Sequence, residues 1–187
     1  MTELYFISSN SRKYEEFRRM LSGLVDLKFL VADYLEPQSE RLDDIAITSA
    51  KWLSSYVKKP FFIEDSGLFI ESLGGFPGPY SSFVFKRIGN EGILKLMEGI
   101  EDRRAFFVSV IALSVNGRIE TFEGVSPGWI AEEIRGGGWG FDPIFIPDGS
   151  GGLTYGELGE RKDRFSHRGM SCKRLREFIE RNPKLLE

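Results

Sequence analysis

The sequence holds one cysteine, Cys172, and one histidine, His167, in 187 residues. A lone thiol closes no internal disulfide, so the chain carries no oxidative framework and reads as intracellular, with the cytoplasm as its expected location. Cys172 reads as a small residue filling a helix face. One histidine and one cysteine also exclude a zinc site of the usual ligand set. No G-x-x-x-x-G-K-[ST] run is present, which excludes a Walker loop, and no G-x-S-x-G elbow supports a Ser-His-Asp triad. The longest apolar run, Phe106 to Val115, is interrupted by Ser109 and Ser114 and falls short of the roughly 20 residues that span a bilayer. The amino terminus, MTELYFISS, has no basic region ahead of a long apolar run, so no signal peptide is expected. Internal repeats, low-complexity tracts and linkers are absent as well. A formal net charge of -3 offers no general attraction to a polyanion. Neither nucleic acid nor a membrane is an expected partner, although Arg161 to Arg176 forms a local basic stretch.

What is present suffices for a single core, since 41% of the residues are hydrophobic. Leu4 to Ser8 is a short β-type run that stops at Ser9-Asn10. Tyr14, Phe17, Leu21 and Leu24 then recur at helical spacing, with Asn10 as N-cap. Val25 to Val31 reads as a second strand, and the polar stretch from Asp33 to Arg41 as a loop. Ile45, Ser49, Trp52, Leu53 and Tyr56 mark a helix that ends near Lys58-Lys59-Pro60. Phe61 to Glu64 follows as a strand. A buried charge is costly unless paired, so Glu64 and Asp65 are expected at that strand's end. Gly74-Gly75-Phe76-Pro77-Gly78-Pro79 is a rigid turn, and Asn90 to Met97 a short helix. Arg104 to Val115 and Arg118 to Val125 flank Asn116-Gly117, the signal for a two-residue hairpin. Pro143 to Ile146 is strand-like, and Ser171 to Ile179 is a helix with Leu175, Phe178 and Ile179 inward. Early alternation of strand and helix with a late antiparallel hairpin predicts an α/β protein, with a mixed sheet and a second lobe leaving a cleft.

Four clusters bear chemistry. Ser8, Ser9, Asn10, Ser11, Arg12 and Lys13 lie where a strand passes into a helix, a place that favours an anion; a capped helix with solvated basic residues is the alternative. Glu64 and Asp65, as neighbours on a strand, point to opposite faces, one to a site and the other to a neutralising partner. An aspartate near a phosphate cradle suits Mg²⁺, with a second carboxylate from Glu36 or Glu40; an Asx turn at Asp65-Ser66-Gly67 is the alternative. Gly136 to Pro143 has glycine spacing but no following helix, so a Rossmann loop fails. It leaves two aromatics, Trp139 and Phe141, to stack on a base and Asp142 to accept from its edge, or else a hydrophobic hairpin corner. Lys162 and Ser166-His167-Arg168 form the last cluster. The polar neighbours of His167 argue against a packed core histidine.

Together these stretches resemble the inosine triphosphate pyrophosphatases over nearly the whole chain. The resemblance is carried by Ser8-x-Asn10-x-x-Lys13, Glu64-Asp65-Ser66-Gly67, Gly74-Gly75-Phe76-Pro77-Gly78-Pro79-Tyr80-Ser81, Gly140-Phe141-Asp142-Pro143, and Lys162 followed by Ser166-His167-Arg168. Maf-like nucleotide pyrophosphatases are similar in overall fold but are not expected to combine the Gly-Phe-Pro-Gly and Ser-His-Arg signatures. The resemblance implies one domain over 1–187, an elongated mixed β-sheet flanked by helices, with two lobes and a central nucleotide-binding cleft. It implies hydrolysis of ITP, dITP and XTP between the α and β phosphates, with Mg²⁺ as cofactor and a homodimer as the assembly. Ser8, Asn10 and Lys13 would hold the triphosphate, and Asp65, with Ser66 beside it, would bind the metal or accept the proton of the attacking water. Trp139 to Asp142 (Trp139, Gly140, Phe141, Asp142), with Lys162, His167 and Arg168, would enclose base and sugar. The family's glutamate before a Gln-Gly segment is replaced here by Leu35-Glu36-Pro37-Gln38-Ser39-Glu40-Arg41, which lacks the glycine. Glu36 is preferred over Glu40 as metal ligand because Gln38 follows closely.

Overall fold

The computed structural model describes residues 2–186. Its strands are β1 (Glu3–Ile7), β2 (Asp26–Leu30), β3 (Phe61–Ile70), β4 (Pro77–Gly78), β5 (Arg104–Val115), β6 (Arg118–Ile130) and β7 (Phe145–Pro147). The helices are α1 (Ser11–Met20), α2 (Leu42–Ser54), α3 (Ser81–Leu96), α4 (Tyr155–Leu158) and α5 (His167–Arg181). The strand order is β2-β1-β3-β5-β6-β7, with β4 beside β3. β1 runs parallel to both β2 and β3, whereas β4 is antiparallel to β3 and β7 to β6. The mixed α/β sheet predicted from the sequence is therefore present.

By contacts the chain forms two compact units, Met1–Asp65 with Ser109–Glu123 and Ser171–Glu187, and Ser66–Val108 with Gly124–Met170. In the first, the rings of Phe6 and Phe17 lie 5.0 Å apart, and Phe62 sits 4.9 and 5.1 Å from them, one ring each from β1, α1 and β3. Fully burying a phenylalanine contributes about 1.5–3 kcal/mol, so this knot fixes α1 against the strands. Leu27, Ile111, Leu113, Leu175 and Cys172 complete the core, which places the lone thiol on a buried helix face as expected. Asn10 caps α1 through its side-chain oxygen, and Arg18 and Arg19 lie in the last turn, where the helix dipole favours cations.

The second unit packs Leu68 and Ile70 of β3 against Val84, Ile93 and Met97 of α3, with Phe107, Ile144, Phe145 and Tyr155 beside them. Helix α3 is longer than the predicted Asn90 to Met97. It begins at Ser81 and is broken at Gly89, whose φ of 61° and ψ of -162° lie outside helical space. A residue with a Cβ rarely takes that φ, so glycine marks the junction of two helical pieces. Phe83 and Ile88 of the first piece are exposed, which blurs its apolar period and hides it from the sequence pattern. The Asn116-Gly117 hairpin forms as predicted, with φ of 51° and 75° at the two turn residues. Pro143 lies in a 3-10 turn, Asp142–Ile144, and the strand begins only at Phe145.

The largest correction concerns β3. It does not stop at the carboxylates but runs through Glu64 and Asp65 to Ile70. Glu64 is buried at 3% exposure, while Asp65 is half-buried. The expectation that both charges lie at a strand end fails because Glu64 meets a cation inside the fold.

Candidate active site

In the first unit, the turn between β1 and α1 is organised by its own side chains. Ser8 Oγ accepts from Asn10 N at 3.1 Å, and Asn10 Oδ1 accepts from the amides of Arg12 and Lys13 at 3.0 and 3.2 Å. Two of the amides that a bare helix start would offer to an anion are thus already engaged. The Ser8 oxygen accepts from a backbone amide, so its hydroxyl hydrogen is directed elsewhere and is available to donate. Ser8 is buried, Lys13 and Asn10 are half-buried, and Ser9, Ser11 and Arg12 are exposed.

Lys13 reaches from α1 to β3. Its Nζ lies 2.7 Å from Glu64 Oε2 and donates to the Glu64 carbonyl at 3.2 Å. Glu64 Oε1 accepts from Ser109 Oγ at 2.7 Å, and Ser171 Oγ lies 2.8 Å beyond. Glu64 therefore faces a neutralising partner, one of the two orientations expected for neighbours on a strand. Ser109 and Ser171 carry no local signal in the sequence, the first being a single serine in an apolar strand and the second a serine within a basic helix.

Glu36 is exposed in the loop before α2. The loop is pinned one residue earlier, where Ser49 Oγ of α2 donates to the Leu35 carbonyl at 2.7 Å. Tyr34, which sequence reasoning passed over, is partly buried, and its phenol is pushed far above the ordinary tyrosine range. Burial is the main cause, and the negative charges of Glu36, Asp65 and Glu64 add to it. All three carboxylates thus act on one hydroxyl. No preformed cage of three or more Asp, Glu, His or Cys side chains exists among the described residues.

The second unit holds the remaining predicted residues. Lys162 Nζ lies 2.7 Å from Asp142 Oδ2, with both side chains about nine-tenths buried. The same oxygen accepts from Trp139 N at 3.2 Å, which closes a short loop around Gly140. A Cβ on Gly138 would sit 2.6 Å from Asp142 Oδ2, so the turn needs glycine there for close approach as well as for its φ of 89°. The half-buried Trp139 ring is flanked by cations, with Lys162 Nζ 5.4 Å and the Arg168 guanidinium 5.3 Å from its centroid. Arg168 Nη2 also donates to Ser66 Oγ at 3.1 Å. Asn90, just past the break in α3, donates to the Gly140 carbonyl at 3.1 Å; its sequence position gave no hint of this.

Two expectations are corrected here. Phe141 is buried at 4% exposure and packs edge-on against Phe85 at 5.3 Å, so its ring belongs to the core and offers no open face for a base. His167, expected outside the core because of its polar neighbours, is 5% exposed and lies flat on Phe107, 4.5 Å between centroids. Both His167 and Arg168 sit in the first turn of α5, behind Ser166, whose Oγ accepts from Gly169 N at 2.9 Å.

The first unit thus offers a capped strand-to-helix turn with a lysine and a shielded phenol under the influence of three carboxylates, and the second an indole with two cations 5.4 and 5.3 Å from its ring centroid. The comparison with known proteins then fixes the family. The Ham1 family model matches residues 4–178, and the chain belongs to that family, the inosine triphosphate pyrophosphatase family its motifs resemble. A dITP/XTP pyrophosphatase of Korarchaeum cryptofilum is 71% identical over 178 residues, covering 95% of this chain and 96% of the relative. One from Pyrococcus horikoshii is 48% identical, covering 97% and 99% of the two chains. Among solved structures, a HAM1 protein from Coxiella burnetii superposes with a TM-score of 0.84 at 31% identity, covering 97% of this chain and 100% of that one.

Proposed function

We propose that this chain hydrolyses deaminated purine nucleoside triphosphates, ITP, dITP and XTP, between the α and β phosphates, releasing pyrophosphate and the monophosphate. The chemistry clears damaged purines from the nucleotide pool. Phosphoryl transfer asks a protein chiefly for positioning and charge neutralisation, and the residues described supply both. Ser8 donates its hydroxyl to the phosphate chain, Asn10 keeps its amide group for the same ligand, and Lys13 neutralises the departing pyrophosphate. Asp65, half-buried on β3, orients the attacking water and accepts its proton.

A hard cation fits the acidic residues around Tyr34. Mg²⁺ takes one or two carboxylates together with phosphate oxygens and water. Asp65 and Glu36 would hold it, Glu36 being preferred over Glu40 because Gln38 follows it closely. When bound, the ion neutralises charge on the phosphate oxygens.

The observation that carries base choice is the fixed guanidinium of Arg168, held by Ser66 Oγ at 3.1 Å and lying 5.3 Å from the Trp139 ring centroid. A pre-oriented donor beside an aromatic face matches the C6 carbonyl of hypoxanthine or xanthine. Adenine presents an amino donor there, leaving the protein's own donor unpaired, a mismatch that can cost several orders of magnitude. The test is a product assay with Mg²⁺ across a panel of triphosphates. Pyrophosphate from ITP and XTP at rates far above ATP is expected. Orthophosphate as first product, or tight binding without any product, would refute the proposal.

A further inference from the structure

Glu64 stands directly before Asp65 on β3, yet the roles above give it no part in the reaction. Its side chain is fully shielded, at 0% exposure. One carboxylate oxygen faces Lys13 Nζ at 2.7 Å and the other accepts from Ser109 Oγ at 2.7 Å, which in turn meets Ser171 Oγ at 2.8 Å. A buried ion pair is a poor means of stabilisation, because apolar residues of the same volume often serve as well or better. The value of this one lies in direction. An ammonium has three N–H donors, and Lys13 gives one to the Glu64 carboxylate and another to the Glu64 carbonyl at 3.2 Å. A flexible four-carbon side chain becomes a single donor aimed one way.

We infer that Glu64 is a positioning residue that acts through Lys13, fixing the direction of the ammonium that meets the departing pyrophosphate, and that it does not ligate the metal. A cation ligated by Glu64 would sit beside the Lys13 ammonium, which already lies 2.7 Å from one of its oxygens, and like charges at that range repel. The inference rests on the pyrophosphatase reading. It predicts that the lysine's charge alone is insufficient, and that a lysine free to swing loses rate more than affinity.

The test uses the full chain and a double-mutant cycle of Glu64→Gln with Lys13→Ala, read by single-turnover release of pyrophosphate from ITP at saturating Mg²⁺. Glu64→Gln should lower the rate about 10–100-fold, the usual cost of losing a residue that supports a reacting one, with little change in substrate affinity. In the Lys13→Ala background the same change should cost nothing further. Multiplicative losses, or recovery of Glu64→Gln at raised Mg²⁺, would overturn the inference, the latter by making Glu64 a metal ligand. Should Glu64→Gln fail to fold, Ser109→Ala, which keeps every charge, carries the same cycle with a smaller first step. A readout without turnover is the rate of reductive methylation at Lys13, followed by mass spectrometry. It should rise in Glu64→Gln, and an unchanged rate would overturn the inference. A wild-type chain that releases no pyrophosphate from any triphosphate would remove the functional reading and leave the methylation result to stand by itself.

Discussion

Replacing Lys162 by methionine removes the cation from a pair whose side chains are only 9% and 10% exposed. At 2.7 Å the attraction within the pair is about 6 kcal/mol for an effective dielectric of 20, most of it offset by the cost of taking both charges out of water. What the substitution exposes is that uncompensated cost. A buried carboxylate left alone typically destabilises by about 3–5 kcal/mol. For a chain of this length that corresponds to a fall in Tm of roughly 6–20 °C. Methionine keeps the volume and the contact with the Trp139 and Tyr155 rings, so cavity formation adds little. The companion variant Lys162→Met with Asp142→Leu replaces both charges by apolar groups and should recover most of the lost stability. It should not recover function, because Asp142 Oδ2 also holds the Trp139 amide at 3.2 Å, and without that bond the indole loses its fixed place. Thermal and urea melts measure the first effect, and KM for ITP the second. A Lys162→Met variant that melts within 2 °C of wild type would refute the reasoning, as would a double variant with wild-type KM.

Asp65→Asn should abolish turnover while nucleotide binding, measured by calorimetry, weakens far less; a wild-type rate would remove Asp65 from the chemistry. Tyr34→Phe tests the shielded phenol. Because its folded-state pKa is raised, the neutral form favours folding: that stability is fully present below the unfolded value of about 10 and is lost progressively as pH climbs from there toward the raised folded-state value. Phenylalanine cannot ionise, so urea midpoints of Tyr34→Phe should fall less steeply than those of wild type between about pH 9 and 11, and parallel curves would contradict the assignment.

Legibility of the fold follows the range of the interaction that sets each feature. Asn10 capping α1 and the Asn116-Gly117 hairpin are fixed by residues within a few positions of themselves, and both were read correctly. The inward faces of Phe17, Leu21, Leu175 and Ile179 also followed from local periodicity. The first piece of α3 did not, because its apolar residues point both inward, as Val84 does, and outward, as Phe83 does.

The site shows the same division more sharply. The motifs single out the candidate residues but carry no sign of how deeply each charge is buried. From its neighbours, Glu64 reads as the place where a strand must end; inside the fold it is neutral in effect because Lys13, 51 positions earlier, and Ser109, 45 positions later, surround it. His167 reads as exposed beside Ser166 and Arg168, yet the face of Phe107, from strand β5, covers it. Burying a charge is unfavourable only without a partner, and a partner drawn from a distant element leaves no trace in a local window. A run of apolar residues that leads directly into paired carboxylates, as at Phe61 to Asp65, is therefore better read as a continuing strand whose counter-charge lies elsewhere in the chain. The lysine of a neighbouring strand-to-helix turn is the first place to look for it.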